Sequence, residues 1–207
     1  MVRIDDNAVV WRQGTGDDLV LAMHGFGADE RDLAGVAPYL PEQFTVASLR
    51  GPLPSPMGGG YAWFEFNPAV DSTDHTMVKA SAEAVLEWLG TIGDKYARVH
   101  ALGFSQGGVM AVELARLAPT RFTSVVHLSS FAHNGDLPGD ADLLAMDPKL
   151  PLFSGIGHDD NVIAANKRER SIPWLDAHFD VERHYYERGH TITMEELQDV
   201  SAFLNRV

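Results

Sequence analysis

Val99-His100-Ala101-Leu102-Gly103-Phe104-Ser105-Gln106-Gly107-Gly108-Val109-Met110 runs three kinds of sequence together. A short apolar run meets Gly-x-Ser-x-Gly, and a small-residue, helix-compatible run follows. That order predicts a strand, a sharp turn and a helix, with Ser105 projecting from the edge of a sheet. Gly103 and Gly107 suit such a turn because a Cβ there would crowd neighbouring backbone. The free N–H groups that open the following helix can receive developing negative charge. With 19 glycines in 207 residues the pentapeptide also arises by chance, so the rest of the chain has to supply its context.

Outward from the turn, apolar runs alternate with helical patterns. Strands are expected at Ala8 to Arg12, Leu19 to Met23, Phe44 to Leu49, Ala97 to Leu102, Phe122 to Leu128, Leu150 to Ile156 and Val181 to Glu187. Several of these are continuously apolar, as strands covered on both faces are. Helices are expected from Glu30 to Tyr39, Asp71 to Gly93, Ser105 to Leu117 and Asn161 to His178, with Pro173 starting or kinking the second half of the last. One helical turn is expected around Ala141 to Met146. Thr193-Met194-Glu195-Glu196 is a capping-box pattern before a terminal helix marked by Leu197, Val200 and Leu204. Residues 51 to 68 show no period, yet carry Tyr61, Trp63, Phe64 and Phe66, too aromatic for simple disorder. The expectation is an α/β chain with a mostly parallel sheet, helices on both faces, one domain over residues 1–207 and no large cap domain. In such sheets sites lie beyond the carboxyl ends of the strands.

Composition narrows the function classes. A 45% hydrophobic chain of this length can bury a full core. A formal charge of −13 lacks the basic footprint that nucleic acids and anionic membranes require. The absence of cysteine removes disulfides, thiolate nucleophiles and cysteine-based metal sites. Met1 to Asp6 has neither the basic flank nor the apolar core of a signal peptide, and no apolar run is long enough for a membrane span. A cytoplasmic location is therefore expected.

A serine nucleophile needs a base, the base an orienting acid, and the tetrahedral intermediate oxyanion donors. Two loops at later strand ends offer them: Gly157-His158-Asp159-Asp160-Asn161-Val162-Ile163 and Glu187-Arg188-Gly189-His190. Upstream, His24-Gly25-Phe26-Gly27 stands where a second oxyanion donor belongs. The order serine, acid, histidine is that of α/β-hydrolases.

On these residues, together with Ala62-Trp63-Phe64-Glu65, Gly103-Phe104-Ser105-Gln106-Gly107-Gly108 and Gly189-His190-Thr191-Ile192, the chain resembles the small carboxylesterase/phospholipase group of the α/β-hydrolases, which includes acyl-protein thioesterases. The resemblance runs from about Leu19 to Leu204. It implies Ser105 as nucleophile, Asp160 as acid and His190 as base, with the backbone N–H groups of Phe26 and Gln106 as oxyanion donors. Asp160 rather than Asp159 has the family spacing, three residues after the glycine and two before Val-Ile. Where the family commonly has Trp-Phe-Asp this chain has Trp63-Phe64-Glu65, which leaves Glu65 without an assigned role.

Blander readings apply elsewhere. His24 braces its loop rather than reacting, and His133, His158 and His184 are surface histidines. His158, Asp159 and Asp160 are too close in sequence to converge on one ion, so no metal is expected. Trp63 and Phe64 are candidates for a wall of the acyl pocket, Trp63 first. No cofactor is required. The expected partner is a small-molecule ester or thioester of small to medium acyl length in a rather open cleft. A homodimer stays open, because an exposed apolar helix or edge strand would support one. The expected function is a serine carboxylesterase. A thioesterase or lysophospholipase with the same triad is the alternative, and a non-catalytic binding protein of the same fold the remote one.

Overall fold

The computed structural model describes residues 2–65, 75–92 and 95–207. Phe66, the expected helix start at Asp71 and its end at Gly93 lie outside the described residues. Among the described residues, seven strands form one sheet: β1 (Val10–Arg12), β2 (Asp18–Met23), β3 (Phe44–Leu49), β6 (Arg98–Phe104), β7 (Ser124–Leu128), β8 (Leu150–Gly157) and β9 (Phe179–Tyr186). Two shorter strands, β4 (Leu53–Pro54) and β5 (Tyr61–Ala62), pair with each other outside it. The order in the sheet is β1-β3-β2-β6-β7-β8-β9, and only β1 runs antiparallel to its neighbour. The helices are α1 (Glu30–Ala34), α2 (His75–Thr91), α3 (Gln106–Leu117), α4 (Asp140–Leu144), α5 (Ala165–His178) and α6 (Met194–Leu204).

The continuous apolar runs make sense in this setting. In β2, Leu19, Leu21 and Met23 face the core shared with α2, α3 and α5, while Val20 and Ala22 face the core shared with α1 and α6. A period of two therefore distributes one run between two buried layers, and every residue of β2 and β3 is buried. Each large aliphatic side chain so buried contributes about 1.5–3 kcal/mol. This is the α/β-hydrolase fold. The connection from β7 to β8, residues 129–149, holds only the short α4 and adds no large cap.

Three elements differ from the sequence reading. The helix expected over residues 30–39 stops at Ala34, with Gly35 as its C-cap, and resumes as a 3-10 turn at Ala37–Tyr39. The helix expected from Asn161 begins only at Ala165, and the N–H groups of Val162 and Ile163 in the loop before it donate to the Asp160 carboxylate. It runs unbroken through Pro173 to His178, and β9 follows directly. The aromatic segment, aperiodic in sequence, contains the small antiparallel β4–β5 pair.

Candidate active site

Ser105 sits between β6 and α3 with φ 54° and ψ −117°, outside the regions that side-chain-bearing residues ordinarily occupy. Two close approaches hold the turn. A Cβ on Gly103 would come within 1.9 Å of the Gly107 carbonyl oxygen, and one on Gly107 within 1.8 Å of the Met23 carbonyl oxygen. Only hydrogen fits at either place. The Ser105 N–H donates to Leu128 O at 2.9 Å, and the Ser130 hydroxyl donates to Ser105 O, so the end of β7 fixes the turn from the other side.

Asp160 and His190 meet across the ends of β8 and β9. His190 Nδ1 lies 2.9 Å from Asp160 Oδ2, and Asp160 Oδ1 accepts the N–H groups of Val162 at 3.0 Å and Ile163 at 3.1 Å. Burial alone would raise the Asp160 pKa, but His190 and the two N–H groups outweigh it and hold the carboxyl below its ordinary value. Asp160 is buried and Asp159 exposed, so the structure brings Asp160, not Asp159, to the histidine. The His190 ring leans on Phe104 with centroids 4.7 Å apart.

The loop after β2 is braced by His24. Its Nδ1 is 2.7 Å from Gly25 O, and Gly51 N–H donates to Nε2 at 2.9 Å. Those partners require a neutral ring with the proton on Nδ1, and burial accordingly lowers the His24 pKa. Gly27 N–H donates to Tyr61 O and Tyr61 N–H to Ala28 O, which stitches the loop to β5. Below it, Arg50 donates two bonds of 2.6 Å to buried Glu30, whose pKa falls to about 2 chiefly through that contact.

Gln106 opens α3, so its N–H has no carbonyl partner within the helix. Its side chain bridges two backbone groups, with Oε1 accepting Trp63 N–H at 2.8 Å and Nε2 donating to Phe64 O at 2.7 Å. The aromatic segment is thereby tied to the turn that carries Ser105. Trp63 is completely buried, and its indole N–H donates to His24 O at 2.9 Å. It stands behind the cavity wall rather than in it, because buried main chain claims its polar edge.

A cavity of about 240 Å³ is lined by Gly25, Phe26, Ala28, Asp32, Phe64, Phe104, Ser105, Gln106, Phe131, Val162, Ile163 and His190. Ser105, His190, Phe26, Gln106 and Phe64 thus share one space, whereas Trp63 and Glu65 do not line it. Sequence reasoning missed Gly25, Ala28, Asp32, Phe104, Phe131, Val162 and Ile163 as lining residues. Gly25, Phe104, Val162 and Ile163 had a signal, their places in the motif loops.

The remaining histidines divide. His158 is exposed and stacks on Tyr185. His133 and His184 are half-buried rather than superficial. His133 packs against Phe131 and His75, and burial lowers its pKa to about 4. Beneath the His190 loop lies a buried ion pair that the sequence did not announce. Arg188 bonds Glu196, and also the Ser129 hydroxyl at 2.6 Å and Gly189 O at 3.0 Å. Glu196 looked like the reciprocal half of a capping box. Thr193 does accept Glu196 N–H at 3.3 Å, but the Glu196 carboxylate turns inward to Arg188.

Comparison with known proteins places this geometry in context. Residues 5–207 match the family described as phospholipase/carboxylesterase. Acyl-protein thioesterase 1 of Mycosarcoma maydis is 25% identical over 221 aligned positions, 89% of each chain. Among solved structures, the Bacillus cereus carboxylesterase superposes with a TM-score of 0.80 at 21% identity, covering 96% of this chain and 93% of that one. Zea mays acyl-protein thioesterase 2 does so with a TM-score of 0.79 at 21% identity, covering 96% and 97%.

Proposed function

Because the chain belongs to the phospholipase/carboxylesterase family, we propose that it is a serine carboxylesterase that hydrolyses esters of small to medium acyl chains. His190 Nε2 takes the proton of Ser105 Oγ as that oxygen attacks the ester carbonyl. Asp160, on the opposite ring nitrogen, holds the tautomer and stabilises the imidazolium. The N–H groups of Phe26 and Gln106 receive the oxyanion, each worth about 3 kcal/mol in the transition state. His190 then protonates the leaving alkoxide, the alcohol departs, and water, deprotonated by the same histidine, releases the acid from Ser105.

The observation that carries this reading is a single cavity shared by Ser105, His190, Phe26 and Gln106, with His190 held 2.9 Å from buried Asp160. A volume of about 240 Å³ lies below the roughly 300–1,000 Å³ of sites for drug-sized ligands, which favours shorter acyl chains. A thioesterase using the same residues is the second reading. It is favoured by the relatives named acyl-protein thioesterases.

Hydrolysis of a panel of chromogenic esters and matched thioesters tests the proposal. Ser105→Ala is expected to lower kcat at least about a thousandfold on all of them. Full activity in that variant would overturn it.

A further inference from the structure

One lining residue is unlike the rest. The deep end of the cavity is apolar: Phe64, Phe131 and Ile163 are buried there. At its exposed end stands Asp32, on α1 just past the loop that carries Phe26. The Asp32 carboxylate accepts no hydrogen bond and joins no ion pair among the described residues. The nearby basic side chains are engaged elsewhere. Arg50 is bound to Glu30, Arg31 lies 4.0 Å from Asp29, Arg168 donates to Asp160 O, and Lys167 lies over the Phe131 ring. None of the four lines the cavity.

An apolar, buried end suits the acyl chain, which leaves the exposed end to the leaving group. We infer that Asp32 sets the charge preference of the cleft, favouring cationic over neutral leaving groups and rejecting anionic ones. The inference rests on the esterase reading above and narrows its substrate class. It counts against phosphate-rich leaving groups such as coenzyme A, and it favours esters of amino alcohols or acyl groups next to basic side chains. The physical basis is direct: no counter-ion to Asp32 stands among the described residues, and a charge on a leaving group at that end of the cavity interacts with it.

The test uses three butyrate esters matched in size: butyrylcholine, its neutral isostere 3,3-dimethylbutyl butyrate, and the anionic 3-(butyryloxy)propanoate. Each kcat/KM is followed by acid release at low ionic strength. The wild type is expected to rank them cationic, neutral, anionic. Asp32→Asn is expected to reduce the cation-to-anion ratio about tenfold, and added salt to reduce it in the wild type. Asp180→Asn, which removes an exposed charge at the opposite end of the sheet, is expected to leave the ratio unchanged. An unchanged ratio in Asp32→Asn, or an equal shift in Asp180→Asn, would overturn the inference while leaving the esterase reading intact. Failure of the folded wild type to turn over any of the three would remove both.

Discussion

Asp160 and Asp159 are neighbours in sequence with opposite fates. One is buried, accepts two backbone N–H groups and holds His190. The other is exposed. Backbone N–H groups and an imidazole all favour the ionised carboxylate, and together they outweigh the burial that by itself would raise the Asp160 pKa. If that charge sets the histidine tautomer, Asp160→Asn should lower kcat by about 10³–10⁴ with little change in KM. Asp159→Asn should stay within about twofold, and steady-state kinetics on one chromogenic ester would compare them. The same residue scale explains why Trp63 misleads a reader of sequence. An aromatic beside the expected cavity suggests a wall, but its indole N–H needs a buried acceptor, and His24 O supplies one behind the wall. Phe64, with no polar edge to satisfy, is the one that faces the cavity.

At the scale of elements, the site depends on joints between strand ends. Arg50 follows β3 and Glu30 begins α1, and their paired bonds fasten the helix that carries Asp32 to the sheet. The Glu30 pKa is depressed from 4.5 to about 2, so its folded state binds a proton less readily than the unfolded chain. Its stabilisation is therefore fully present above the unfolded value and lost as pH falls toward about 2. Glu30→Gln should cost on the order of 2 kcal/mol at neutral pH, and the gap from wild type should close between about pH 4.5 and 2. Denaturant titrations across that range would measure it. Such joints were not legible in the sequence, because an ion pair between residues 20 positions apart has no periodicity. Arg188 with Glu196 was hidden more completely, since a glutamate at the third helical position already had an explanation as a cap. What was legible followed a period or a steric rule. The parallel strands declared themselves by unbroken apolar runs, the turn at Ser105 by glycines that no larger residue could replace, and the two later loops by standing at strand ends. The short β4–β5 pair, two residues long on each side, was too brief to register.

Across the whole molecule, the parallel sheet gathers the carboxyl ends of β2, β6, β8 and β9 along one edge, and each contributes one part of the candidate site. Residues as distant in sequence as Phe26 and His190 meet there because the strands that precede them are aligned, not because the loops contact early in the chain. The acidic surface belongs to this scale too. A net charge of −13 repels anions from the molecule generally, and Asp32 brings that bias to the mouth of the cavity. The proposed reaction passes through a covalent acyl intermediate on Ser105. Rapid acid quenching of the enzyme with an activated ester, followed by intact-mass and tryptic-peptide measurement, tests it most directly. The peptide from Val99 to Arg116 contains Ser105 as its sole hydroxyl side chain. The added mass of the acyl group is expected on that peptide and is expected to be absent in Ser105→Ala. Acyl mass on any other peptide, or undiminished turnover by Ser105→Ala, would contradict the proposed intermediate.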